Sequence, residues 1–300
     1  MGALWMSWSS YKQYKINCPK QYFLQRVKKQ DPPKKMSSHN TIVGSVVQKV
    51  FEDFYNDELW RRGPETTKLL MERTDLYYWN YLKNNHIDWD DFTCRFKSKT
   101  EPLKECLEII PKVLEGIKRE KLLGPYAKSR SEDKIKVRFN KNDFLFGYLD
   151  FIIKNPDGEV LLLDGKASRH REKYVKEDQI YFYALIFLLR YKVLPDKIGY
   201  FYYRFADDPE KAIDWLPVDK KRIRDLKLDI EDTIYNIKNR RFNANPHYSY
   251  CQYCVYEQIC SERQAQKKQN RVKRNKNSKK KSVDADFKGG KAKIGFDSLK

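Results

Sequence analysis

No apolar run in this chain approaches the ~20 residues of a membrane span, and its start, "MGALWMSWSSYKQYK", lacks a basic stretch followed by a continuous apolar one. The chain therefore reads as soluble, with no membrane partner, and as a protein that stays in the cytoplasm. No internal repeat is visible. Six cysteines without a secretory leader are poor evidence for disulfides, because a reducing compartment keeps them as thiols. Metal or cluster ligation is the better use for them.

What is present is a core and a strong positive charge. A hydrophobic content of 40% over 300 residues suffices for one large domain or two small ones. Lysine and arginine outnumber the acids by 61 to 41, and a charge of +20 speaks first of polyanionic partners, nucleic acid by default. Half of that excess sits in residues 261–300, which hold 14 Lys/Arg against 4 Asp/Glu. Residues 263–300 have few apolar side chains to offset chain entropy and read as a disordered basic tail. Such a tail either solubilises and localises the protein or tracks phosphates.

Residues 1–125 read as mainly helical. "SWSSYKQYKINCPKQYFLQRV" opens with serines able to cap a helix, and "HNTIVGSVVQKVFEDFYNDELW" sets Val43, Val46, Val50 and Phe54 on one face. Two further helices are expected within 64–85 and 101–122. Residues 134–242 change period and form the expected catalytic core. "KIKVRFNKNDFLFGYLDFIIKNPDGEVLLLDGKAS" offers three β-rich segments, the last two joined by Asn155-Pro156-Asp157-Gly158, a sequence suited to a tight reversal. A helix in 175–192, a strand in 196–205 and a long amphipathic helix in 217–242 follow. The expected fold class is α/β (or α+β), a mixed central sheet flanked by helices.

Asp150 ends the apolar run "FLFGYLD" and Asp164 ends "EVLLLD". In adjacent antiparallel strands both project from one end of the sheet, where two carboxylates hold a hard cation such as Mg²⁺ without closing its coordination sphere. Lys166 shares the face of Asp164 by strand alternation and can orient or help deprotonate a water, or stabilise charge on a phosphorane-like transition state. Gln179 and Tyr183, one helical turn apart, share a face of the helix that follows. The bland alternative is that the acids merely end strands, with Lys166 as an ion-pair partner.

Together these residues carry a resemblance. "GYLD", "LLLDGKAS" and "QIYFY" resemble, in order and spacing, the Gly-x-x-Asp, Asp/Glu-x-Lys and Gln-x-x-x-Tyr motifs of the PD-(D/E)XK nuclease superfamily, in its RecB-like branch. "SSYKQYKINCPKQYFL" is similar to the Cys-Pro segment that opens CRISPR-associated RecB-like exonucleases and AddB-type nuclease domains, and "CQYCVYEQIC" to their Cys-x₂-Cys-x₅-Cys close. The resemblance covers roughly residues 7–262, and residues 1–262 are the expected nuclease domain. It implies a restriction-endonuclease-like core and Mg²⁺- or Mn²⁺-dependent hydrolysis of DNA, single strands or ends favoured. In that reading Asp150, Asp164 and the Gly165 carbonyl are ligands and Lys166, Gln179 and Tyr183 assist. It also implies a helicase or a recombination or replication partner, in the cytoplasm of a prokaryotic cell or a phage-infected host. The sequence departs from the family pattern at Gln48, where a histidine ligand is usual, and at Gly165, where an aromatic or aliphatic residue is common. Gln48 still offers a neutral oxygen.

Residues 245–262 are expected to close onto Cys18. Cys251, Cys254 and Cys260 with Cys18 fit four-coordinate thiolate ligation by zinc or an iron–sulfur cluster, and the resemblance favours a structural [4Fe–4S] cluster. Cys94 and Cys106 read as small buried or half-buried residues. Arg169, Arg171, Lys173 and Lys176, around His170, form a basic loop suited to phosphate contacts. Two alternatives stay open: a catalytically degenerate nucleic-acid-binding scaffold on the same fold, and a zinc-stapled RNA-processing nuclease.

Overall fold

The computed structural model describes residues 2–33, 39, 41–90, 94–124, 126–174, 178–246 and 248–271. Lys176 and residues 272–300 of the expected tail lie outside these, as does the side chain of Lys173. The chain divides into two compact units, Met1–Lys15 with Met36–Arg241, and Ile16–Lys35 with Phe242–Lys300. No helix among the described residues is long and apolar enough to cross a membrane.

The first unit begins with β1 (Trp5–Met6) and α1 (Trp8–Lys12), where Ser7 caps the helix in a reciprocal bond set with Ser10. The second unit holds the short α2 (Pro19–Tyr22). Three helices of the first unit follow: α3 (Ile42–Asn56), α4 (Glu65–Asn84) and α5 (Glu101–Arg119). Val43, Val46, Val50 and Phe54 of α3 are all buried, each such side chain contributing about 1.5–3 kcal/mol. Then come β2 (Tyr126–Arg138), β3 (Phe144–Lys154), β4 (Val160–Lys166), α6 (Gln179–Tyr191), β5 (Lys197–Tyr202), β6 (Ile213–Leu216) and α7 (Lys220–Lys238). The β3–β4 reversal is built as its residues demand: Gly158 takes φ +86° and donates to the Asn155 carbonyl at 3.0 Å.

The sheet is mixed. β2–β3, β3–β4 and β5–β6 are antiparallel, whereas β4–β5, bridged by α6, and β1–β3 are parallel. One face packs on α3, α4 and α5 through Phe151, Ile153, Leu161, Leu163, Phe201 and Tyr203. The other is covered by α6, against which α7 packs. The aromatic segment 200–203 is wholly core.

The ladder around β3 has a break that matters. β2 runs along one edge, while the other edge is shared between β1, at Phe144 and Leu145, and β4, from Phe151 onward. Positions 146–150 of that edge have no strand partner among the described residues. Asp150 stands in this notch, one step past the last paired positions, Phe151 and Leu163. It does not end its strand: β3 continues to Lys154.

In the second unit, residues 261–271 are helical, so structure extends past the boundary at 263 expected for the tail. Buried Arg263 holds it there, donating to Glu257 at 3.1 Å and to Gln266 at 2.6 Å.

Candidate active site

Asp150 and Asp164 stand on adjacent strands at the β3–β4 notch: Asp164 is bonded to Gln179 of α6, whereas Asp150 lines a cleft with Gln48 of α3. The Gly165 amide donates to Asp150 Oδ2 at 2.8 Å, replacing the ladder bond that ends there. Burial, then the charge of Asp164, pushes the Asp150 carboxyl up to about 8, against the pull of Lys166 and the Gly165 amide. Lys166 pairs with Asp164 and donates to Gln179 Oε1 at 3.1 Å. Burial lowers the Lys166 pKa, but Asp164 and Asp150 outweigh it, so the net shift is upward and the ammonium is a firm cation.

Gln179, the first residue of α6, ties the set together. Its Nε2 donates to Asp164 Oδ1 and to the Tyr183 hydroxyl, each at 3.1 Å. α6 can come this close because Gly147 has no side chain: a β-carbon there would stand 3.1 Å from both Ile186 Cδ1 and Tyr183 Cε1. The Tyr183 hydroxyl is raised by burial and by the two aspartates, and stays protonated.

On the opposite face, the Tyr203 hydroxyl donates to Gln48 Oε1, and the buried Gln48 Nε2 has no hydrogen-bond partner among the described residues. Gln48, Gly165 and Asp150 line one cleft of about 710 Å³. Its walls also carry Arg95, Arg169, His170, Tyr174 and Arg204. Arg169 reaches Glu105 at 2.7 Å, whereas Arg171 turns away to Asp214 of β6 and lies over the Tyr202 ring at 5.1 Å. His170 is exposed, 3.5 Å from Glu172.

With Asp150 holding a proton, Asp164 and Lys166 balance; a divalent cation that takes the place of that proton meets two carboxylates and one ammonium, a set that suits it. Among the described residues, no three His, Cys, Asp or Glu side chains form a ready set for one ion. Any ion here draws its remaining ligands from neutral oxygens, such as the Gly165 carbonyl and the Gln48 amide, and from water.

In the second unit, Cys18, Cys251, Cys254 and Cys260 line one small cavity. Burial raises the Cys254 thiol, helped by the other three sulfurs, and Asn245 N–H points to Cys18 Sγ at 3.4 Å. In the first unit, Cys106 is fully buried in α5, its thiol pushed up to about 12 by burial, and Cys94 lies 3.7 Å from the Phe96 carbonyl.

Sequence reading did not single out Tyr203, Arg95, Glu105 or Arg204. Each sits in a segment whose local pattern is explained by a helix, a strand or a loop, and only tertiary contact gives it a place at the cleft.

Among solved structures, the chain is similar to the crystal structure of SSO0001, with 16% identity, a TM-score of 0.31, and coverage of 75% of this chain and 96% of that one. A likeness of that size carries no correspondence of residues. None of the curated proteins matches. The family model of the PD-(D/E)XK nuclease superfamily matches residues 6–261, a span that includes both aspartates, Lys166, Gln179 and all four clustered cysteines. The chain belongs to the PD-(D/E)XK nuclease superfamily.

Proposed function

We propose that the protein is a RecB-like deoxyribonuclease that uses Mg²⁺ or Mn²⁺ to hydrolyse phosphodiesters at single strands or DNA ends. The observation that carries this is the bonded set Asp164–Lys166–Gln179 beside Asp150, which accepts from the Gly165 amide and lines an arginine-walled cleft. Asp150 and Asp164, with the Gly165 carbonyl and the Gln48 amide oxygen, would hold the cation, which when bound polarises a phosphoryl oxygen and acidifies water. Lys166 remains protonated. It therefore serves as a fixed charge and donor toward the attacking water or a phosphate oxygen rather than as a base. Gln179 fixes the ammonium between itself and Asp164, and the protonated Tyr183 hydroxyl can donate to a phosphate. Arg169, Arg171, Lys173 and Lys176 are the basic stretch proposed to meet strand phosphates; of the described side chains Arg169 lines the cleft, while Arg171 is engaged by Asp214.

The second unit, in this reading, is held by a [4Fe–4S] cluster on Cys18, Cys251, Cys254 and Cys260. Four thiols lining one cavity are the donors such a cluster takes, and the resemblance of the cysteine spacing to RecB-like domains favours it over zinc. The cluster closes a loop of more than 230 residues and is structural.

The test is cleavage of end-labelled single- and double-stranded DNA and of RNA with Mn²⁺, Mg²⁺ or EDTA, beside Lys166→Ala. Cleavage that needs metal and Lys166 supports the nuclease, and the product ladder gives its polarity. Binding without cleavage under every metal would move the reading to a degenerate scaffold, which one observation favours: Gln48 Oε1 already accepts a hydrogen bond from Tyr203.

A further inference from the structure

Three arginines from separate segments converge on one carboxylate at the cleft wall. Glu105 of α5 accepts from Arg95 Nη2 at 2.8 Å, from Arg169 Nη2 at 2.7 Å and from Arg204 Nη1. Arg204, only 10% exposed, is fixed further by donating Nε to the Ala167 carbonyl. Arg95 lies 4.3 Å from the centroid of the Phe96 ring, which holds its plane. Arg169, on the loop after β4, is 64% exposed. All three line the same cleft as Asp150 and Gly165.

The arrangement is over-supplied with positive charge. One carboxylate neutralises one guanidinium, so the cluster carries a formal surplus of two. Burial, and then the neighbouring Arg95 and Arg169, oppose the charge on Arg204, although Glu105 supports it. A structural ion pair needs a single arginine. Two more on the cleft side add repulsion unless an anion joins them, and guanidinium forks are the natural donors to phosphate oxygens.

We infer that Arg95, Arg169 and Arg204, held by Glu105, form a subsite for a phosphomonoester end of the strand lying in the cleft. The charge selects the species: a terminal phosphate carries about −1.5 to −2 at neutral pH and balances the surplus, whereas an internal diester carries a single charge and leaves it short. Glu105 sets the guanidinium planes and lowers the cluster from three charges to two. The inference rests on the nuclease reading for the strand's path, but its test does not need turnover.

The experiment is fluorescence anisotropy in EDTA, at one fixed salt concentration, with short DNA single strands bearing a 5′-phosphate, a 3′-phosphate or hydroxyls at both ends. Wild-type protein is expected to bind one phosphorylated strand about tenfold more tightly than the hydroxyl-ended strand, and the favoured end shows which terminus enters. Arg169→Gln, at an exposed position that folding tolerates, and Arg95→Gln should each erode that ratio, and the double variant should abolish it. Equal affinity for all three strands would overturn the subsite, as would variants that weaken every strand by the same factor. Absence of cleavage with any metal would instead fail the nuclease reading and leave this ratio decisive.

Discussion

Gln48 and Gly165, the two positions at which the sequence departs from the RecB-like pattern it resembles, share one space: a β-carbon on Gly165 would stand 3.0 Å from Gln48 Oε1 and would overlap the Tyr203 hydroxyl. The two departures are therefore one structural choice. With Tyr203 donating to Gln48 between them, a larger residue in β4 has no room.

Gly165→Ala is accordingly expected to lower stability by about 1–3 kcal/mol, the usual cost of overpacking. Tyr203→Phe removes the colliding oxygen and should recover part of that loss. Urea unfolding of the two single variants and the double variant reads the coupling, and strictly additive effects would show that the contact is not the cause.

Gln48→His exchanges a neutral amide oxygen for an imidazole, a ligand that favours Mn²⁺ over Mg²⁺ more than an amide does. Activity with Mn²⁺ relative to Mg²⁺ should rise by about tenfold, within the usual influence of one ligand-shell change. An unchanged ratio places Gln48 outside the cation's ligands.

Lys166→Ala should lower cleavage by about 10²–10³-fold, the loss typical of removing one charge-stabilising donor. Strand binding in EDTA should survive. Gln179→Leu, which removes the bonds to Lys166, Asp164 and Tyr183 but leaves the charges in place, should give a smaller loss that appears in kcat rather than KM.

Metal-free stability should depend on pH through Asp150. Its folded pKa of about 8 lies above the ordinary 3.8. Between these values the folded chain keeps a proton that the unfolded chain has lost, so stability is full below about 4 and falls as pH rises toward 8. Thermal unfolding in EDTA across that range should show the decline, and Asp150→Asn should flatten it. A divalent cation competes with the same proton, so metal affinity should climb over the same window.

Protein purified without oxygen should be brown and carry iron and acid-labile sulfide in equal amounts, and Cys254→Ser should lose both. Stoichiometric zinc in colourless protein would replace the cluster with a zinc staple.

The family motifs were legible because their geometry is short-ranged. Two-residue alternation puts Asp164 and Lys166 on one face, a helical turn relates Gln179 to Tyr183, and the Asn155–Gly158 turn sets β3 against β4. The buried face of α3 and the ends of α4 and α5 follow from the same local periodicities. Other features depend on chain segments far apart in sequence. Two-residue β1 pairs with β3, short edge strand β6 is defined only by its partner β5, and the notch at Asp150 exists because β1 and β4 divide one edge between them. Glu105 gathers arginines from positions 95, 169 and 204, and Tyr203 reaches Gln48, 155 residues away. The sequence by itself determined which candidate residues stand next to one another, since backbone periodicity orders neighbours. Only the tertiary structure decided what surrounds them, because strand pairing and burial bring distant charges together.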